Sequence, residues 1–373
     1  DTSVARVSVG SARLVSTRSS RADYVVAVLG ATGLVGQTMI AVLEERNFPV
    51  RTLVPLASRG DGRTVRFRNT EIPVQAIEPE SFEGVDIALF SAGGGTSKEL
   101  APEAAKRGCT VIDNSSAWRM EPGIPLVVSQ VNPGDLEAHE GIIANPNCST
   151  MQLMPPLMAL RDAVGITRLI VDTYQAVGGT GHKAIVELEE QVRAHAEGRP
   201  KVATVYPHPI AFNALPHIDV FLENGYTKEE WKVVMETRKI LHLPDLPVSC
   251  TAVRVPVFVG HSEAVHVETR DPITPSEARA LMGRVPGVVI EDDPSANVYP
   301  LATRAAGTTT GKISVTTPGG TGTSSASFTA APTVTSFTPT SVCLERYGAN
   351  IVPRLLAALG AVGPCCSDST RLA

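Results

Sequence analysis

Aromatic side chains are scarce: Phe, Trp and Tyr make up 5% of the 373 residues. A surface that stacks bases needs such rings, so no base-binding platform is expected. Positive charge is short as well. Lys and Arg number 33 against 38 acids, a net charge of −5, which excludes the basic surplus of a nucleic-acid binder. No apolar run approaches the roughly 18 residues that span a bilayer, so neither nucleic acid nor membrane is an expected partner. The cysteines (Cys109, Cys148, Cys250, Cys343, Cys365 and Cys366) are too few and too irregularly spaced for a disulfide framework. A reducing compartment such as the cytoplasm follows. What is present, 43% hydrophobic and 19% charged residues, suits a globular chain of about two domains.

The two ends are compositionally odd. Residues 1–23 carry four Arg and six Ser, with Asp1 and Asp23 as the only acids. This reads either as a disordered extension or as the remnant of an organellar transit segment, which would place the protein in the plastid stroma. Residues 302–341 hold 13 Thr, 6 Ser and no acid. That composition predicts loose packing across 308–340, with few contacts to the rest. From Val342 to Leu359 apolar residues return at near-helical spacing, interrupted by Pro353.

Between the ends, strands are predicted at Tyr24–Leu29, Thr52–Ala57, Val85–Ser91 and Thr110–Asp113, with helices at Val35–Glu45 and Lys98–Arg107. Strands alternating with helices mean βαβ units and a parallel sheet. A helix is predicted at Ser149–Leu160, a strand at Ile166–Tyr174, and helices at 183–196 and 227–241. Ser249–Val259 and Ala264–Arg270 read as strands joined by a tight link, hence an antiparallel hairpin. The fold class is α/β, with a parallel-sheet first domain and a second domain of α+β type.

Gly30-Ala31-Thr32-Gly33-Leu34-Val35-Gly36 falls between the first strand and the first helix. Glycines there allow a tight turn and let backbone approach a pyrophosphate at a helix N-terminus. The end of the second strand reads Ser58-Arg59-Gly60-Asp61-Gly62-Arg63. Arg59, with Arg63 as a second candidate, suits a 2′-phosphate with Ser58 donating a hydrogen bond, which favours NADP. Asp61 argues the other way, since a carboxylate suits the ribose hydroxyls of NAD. Ser91-Ala92-Gly93 lies where the chain can pass close to a nicotinamide ribose.

A second motif, Asn145-Pro146-Asn147-Cys148-Ser149-Thr150, opens a predicted helix. A thiol there feels the positive end of the helix dipole, which favours thiolate. Free backbone N–H groups and the Asn147 amide are placed to stabilise an oxyanion. Cys109 and Cys250 stand in apolar strand contexts and read as core residues. A nucleophilic thiol needs a proton shuttle. His261 stands at a turn with Arg254 seven residues before it, a cation and an imidazole suited to a carboxylate beside the reacting carbon. His208, His217 and His242 are rivals on chemistry alone.

From about Tyr24 to about Ala306 the chain resembles the aspartate-semialdehyde dehydrogenase family. The carrying segments are GATGLVG at 30–36, FSAGGGTSKELAP at 90–102, DNSSAWRM at 113–120, PLVVSQVNP at 125–133, NPNCST at 145–150, YQAVGGTG at 174–181, NGYTKEEWK at 224–232 and RVPVFVGHSE at 254–263. The resemblance implies a Rossmann-type NADP domain over 24–148, rejoined by 342–360, and a catalytic and dimerisation domain over 149–341. It implies small-molecule substrates, no metal, a homodimer or dimer of dimers, and a place in lysine, threonine and methionine biosynthesis. By it Cys148 is the nucleophile, His261 the acid/base catalyst, and Gln175 orients the intermediate. Arg254 binds the substrate carboxylate and Glu229 its ammonium group. Arg119, Asn147 and Lys232 line the phosphate site, and Gly178 and Gly179 touch the cofactor. Spacing alone would make Glu229 and Lys232 a plain surface ion pair.

Two departures stand out. Gly178-Gly179-Thr180-Gly181 replaces a Ser-Gly-Ala-Gly-like run of the family. Ser341–Asn350 only faintly echoes the stretch by which the family returns to its nucleotide domain. The alternatives are an N-acetyl-glutamyl-phosphate reductase, disfavoured by the residues around Cys148, and a nucleotide-binding homologue that has lost catalysis.

Overall fold

The apolar run Tyr24–Leu29 forms strand β1, and it is apolar throughout because both its faces are covered. Val26 and Val28 face Met39, Ile40 and Leu43 of helix α1 (Leu34–Glu45), while Ala27 and Leu29 face Leu100, Ala101 and Ala104 of α2 (Gly94–Lys106). In this computed structural model residues 23–302 are described, together with three short strands beyond them.

Next come β2 (Val50–Ala57), a small hairpin of β3 (Thr64–Phe67) and β4 (Thr70–Pro73), and β5 (Gln75–Ala76). They are followed by β6 (Ile87–Phe90), β7 (Thr110–Asp113) and β8 (Ile142–Ala144). The main sheet runs β5-β2-β1-β6-β7-β8, with every pair parallel. Order reverses between β1 and β6. A crevice therefore opens at their C-terminal ends, where ligands of open α/β sheets bind.

Helix α3 (Cys148–Val164) joins the two halves. It is buried nearly all round, which explains why its sequence lacks an amphipathic stripe. Its Met151, Leu153, Met154 and Leu157 share one core with Leu126 and Val128 and with Val171, Val233 and Val265 of the second half. There β9 (Ile166–Ala176) is followed by α4 (His182–Ala196), α5 (Lys228–Ile240), β10 (Val248–Val255), β11 (Ser262–Thr269), α6 (Pro275–Met282) and β12 (Val288–Ile290).

β10 and β11 are not a hairpin. The longer β9 lies between them, parallel to β10 and antiparallel to β11. The link Pro256–His261 instead crosses the end of β9, where Val257 and Phe258 carbonyls accept the N–H groups of Val177 and Gly178. β13 (Ile313–Thr316), β14 (Thr329–Ala330) and β15 (Thr333–Ser336) complete the sheet, whose order is β10-β9-β11-β15-β13-β12 with β14 also on β11. Expected loose packing across 308–340 is corrected at these strands. They are held by main-chain ladders, which β-branched Thr and Val favour and which need no large apolar side chain. The readings for residues 1–22 and 342–360 lie outside the described residues. No helix among those described is long and apolar enough to cross a membrane.

Candidate active site

The glycine loop sits at the crevice. Gly30 has φ of +83°, and a Cβ on it would strike the Ser91 carbonyl. A Cβ on Gly36, in the first turn of α1, would strike the backbone of Gly30 and Ala31. Only glycine allows this close approach of three chain segments. Thr32, Gly33, Leu34 and Val35 lie between them at partly or fully open positions, as do Ser91, Ala92 and Gly93 across the crevice. Ser58 and Arg59 stand exposed at the end of β2. Arg63 pairs with Asp61.

Cys148 is the first residue of α3. Asn147 caps the helix, its Oδ1 accepting the Ser149 N–H at 3.0 Å. The Asn147 amide donates to Glu229 at 2.9 Å. It acts as a strut for the loop. Gln175, 1% exposed on β9, donates to Ser149 Oγ at 2.9 Å, to Thr173 Oγ1 at 3.2 Å and to Glu229 Oε1 at 3.3 Å.

The next peptide is gripped on both edges. Ala176 N–H donates to His261 Nδ1 at 3.0 Å, and Ala176 C=O accepts from Arg254 Nη1 at 2.7 Å. This fixes the imidazole with Nδ1 as acceptor, so the neutral ring carries its proton on Nε2. A Cβ on Gly179 would come within 3.2 Å of that Nε2 and 3.3 Å of the guanidinium. Gly179 thus keeps both groups open, while Gly178 is buried. Arg254 is 5% exposed, and its Nε has no partner among the described residues.

Charges are set by burial and by these neighbours. Burial, then the Arg254 charge, pull the His261 imidazole down to about 3, so it is neutral at physiological pH. Burial, then the Glu229 carboxylate, push the Cys148 thiol up to about 12, against the pull of Arg254 and Arg119. Burial thus opposes the thiolate that the helix start favours. Burial would raise Glu229, but Lys232 and the Asn147 amide more than offset it and hold it ionised.

Lys232 donates to Glu229 at 3.1 Å and to Asp219 at 2.9 Å. This pair is not a surface ornament, since Glu229 is 6% exposed. Lys232 and Arg119 line a cavity of about 770 Å3, with Gly94, Gly95 and Lys98 at the start of α2 on the far side. The rivals of His261 stand elsewhere: His208 is exposed, His217 stacks on Phe221, and His242 meets Asp135. Cys109 and Cys250 are buried thiols pushed up by desolvation.

Sequence reasoning missed Glu236, Ser149 and Asp219. Glu236 was findable, since it falls seven residues after Glu229 and shares its helix face. Ser149 and Asp219 carry no such local signal.

A parallel nucleotide sheet facing a helix-start cysteine and a neutral buried histidine defines a class: two-domain dehydrogenases that work through a thiol. Comparison with known proteins agrees. The family described as "Semialdehyde dehydrogenase, NAD binding domain" matches residues 25–139, and "Semialdehyde dehydrogenase, dimerisation domain" matches 157–318. The chain is 56% identical over 290 residues to the aspartate-semialdehyde dehydrogenase of Aquifex aeolicus, covering 76% of this chain and 85% of that protein. It is 52% identical over 291 residues to that of Bacillus subtilis, covering 76% and 84%. The crystal structure of aspartate semialdehyde dehydrogenase II from Vibrio cholerae, complexed with ASA, superposes with a TM-score of 0.84 at 41% identity, over 90% of this chain and 98% of that one. The chain belongs to the aspartate-semialdehyde dehydrogenase family.

Proposed function

We propose that this chain catalyses the NADP-dependent reductive dephosphorylation of 4-aspartyl phosphate to L-aspartate 4-semialdehyde. The observation that carries the reading is Arg254. A buried guanidinium whose Nε has no partner among the described residues, beside a neutral imidazole, calls for an anionic group on the substrate. The α-carboxylate of an aspartyl substrate supplies it. Glu229, a buried ionised carboxylate, favours a free ammonium over the acetylated nitrogen of the glutamyl alternative.

The residues present fit NADP: a glycine cradle that any Cβ would fill, and an exposed Arg59 for the 2′-phosphate. Gly30, Thr32, Gly33, Leu34, Val35 and Gly36 would hold the pyrophosphate. Ser91, Ala92, Gly93, Gly178 and Gly179 would flank the nicotinamide end. Bound there, the reduced cofactor supplies hydride. Cys148 attacks the acyl phosphate carbon, forming a thioester as the C–O bond to phosphate breaks. The thiol proton passes to the departing phosphate, which Arg119 and Lys232 receive. His261 Nε2 holds the proton that meets negative charge on the acyl oxygen; as the aldehyde leaves, the C–S bond breaks and the Cys148 sulfur takes back a proton, while Gln175 and Asn147 fix the Cys148 segment.

We read the assembly as a homodimer or dimer of dimers. The match to a dimerisation domain supports this, as does the outward face of β9, where Tyr174 is 45% exposed. The function is tested in the reverse direction. Purified protein should reduce NADP through many turnovers, beyond a single equivalent, only when aspartate semialdehyde and phosphate are both present. Turnover of N-acetyl-glutamate semialdehyde instead would favour the alternative, and no turnover of either would favour a catalytically silent homologue.

A further inference from the structure

Glu236 on α5 is 1% exposed and lines the same cavity as Arg119 and Lys232. Its two oxygens have separate tasks. Oε1 accepts from Arg119 Nη1 at 3.0 Å, and Oε2 accepts from the backbone N–H of Asn147 at 2.6 Å. One partner is the guanidinium assigned to phosphate. The other is the backbone N–H of Asn147, the residue directly before the nucleophile.

We infer that Glu236 is a positioning residue that couples phosphate at Arg119 to the placement of Cys148, an inference that rests on the function proposed above. Arg119 has five N–H donors. Nη1 goes to Glu236, Nε to the Asn145 carbonyl at 2.9 Å and Nη2 to the Asn114 carbonyl at 3.0 Å. Each of these three nitrogens has a protein acceptor, and both terminal nitrogens keep a further N–H. The guanidinium lines the same cavity as Lys232. Arg119 is thus tied to the nucleophile segment at Asn145 directly and at Asn147 through Glu236. An arriving phosphate competes with Glu236 for this cation, and any shift reaches Asn147, the residue before Cys148, through a short charge-assisted bond to its N–H.

Helix α5 is built for this. Thr227 and Glu230 form a capping box that fixes its start. From there Glu229, Lys232, Glu236 and Lys239 recur on one face. Lys239 accompanies Glu236 by donating to the Arg119 carbonyl at 2.7 Å and the Ile124 carbonyl at 2.9 Å. A carboxylate needed only to neutralise Arg119 would have no reason to reach the Asn147 N–H as well.

The test is E236Q. Its amide oxygen can still accept from Asn147, but its NH2 group then faces the Arg119 guanidinium, donor against donor. Cys148 alkylation by iodoacetamide is followed with and without inorganic phosphate, a readout that needs no turnover. Phosphate should change the wild-type rate about fivefold or more, and this effect should vanish in E236Q while NADP binding persists. In the assay, kcat should fall about tenfold or more with the KM for phosphate unchanged or lower, since phosphate still binds but out of line. If E236Q folds poorly, E236D serves. It keeps the charge near Arg119, is too short to reach both partners, and should lose the phosphate effect too. The same phosphate effect in variant and wild type, or none in the wild type, would overturn the inference. An inactive wild type that still shows the effect would overturn the proposed reaction and not this coupling.

Discussion

The two halves of the molecule build their sites from different materials. At the end of β1 the cradle is backbone: Gly30, Ser91 and the first turn of α1 approach so closely that side chains are excluded. At the ends of β9 and β10 the site is made of side chains from distant segments: Glu229 and Gln175 are hydrogen-bonded to each other and to Asn147 and Ser149, the neighbours of Cys148, while Arg254 and His261 grip the Ala176 backbone. A backbone site is specified by a short local motif. A side-chain site is specified only when distant segments meet.

The comparison breaks hardest at Cys148. Cys148→Ser should lower turnover by about 10⁴-fold or more, because a hydroxyl cannot supply the nucleophile. NADPH affinity, measured by fluorescence titration, should be nearly unchanged, since the cradle lies in the other half. Gly179→Ala comes next. Its methyl group would press on the His261 imidazole and the Arg254 guanidinium, so kcat should fall about 10²-fold. Retained NADPH binding with normal kcat would show that those groups yield freely.

Gly36→Ala should do the reverse. Its Cβ meets unyielding backbone at Gly30, so nucleotide affinity should drop by about tenfold or more, as overpacking costs predict. The Cys148 alkylation rate should barely move. Arg59→Ala should weaken NADP by about tenfold and NAD scarcely at all, because only NADP carries the 2′-phosphate. Equal loss for both cofactors would make Arg59 structural. The smallest effect is expected from Glu229→Gln. Removing a negative charge that raises the Cys148 thiol should speed its alkylation at pH 8 severalfold. Alkylation of the wild type should keep rising with pH toward about 12, with no plateau near an ordinary thiol value.

Legibility followed the same division. β1, α1 and the glycine loop were readable because each needs only neighbours in sequence. Cys148 stood out through its Asn-Pro-Asn context, but its protonation did not, since burial is a property of the assembled core. The hairpin reading of β10 and β11 failed for a related reason. Chain direction was right, yet nothing local says that β9 slips between them. Glu229 and Lys232 were chosen by resemblance to a family. Spacing alone would have left them on the surface, and only the packing of α5 against the Asn147 loop shows them buried. Strands β13 and β15 were missed because main-chain pairing leaves a weak mark on composition.

The central claim is that Cys148, and no other thiol, carries the acyl group between phosphate and cofactor. Protein mixed with aspartate semialdehyde and NADP, without phosphate, should release one equivalent of NADPH and hold an acyl adduct. Mass spectrometry should place that adduct on the peptide containing Cys148, and phosphate should discharge it. NADPH release with no adduct, or an adduct on Cys109 or Cys250, would contradict the account.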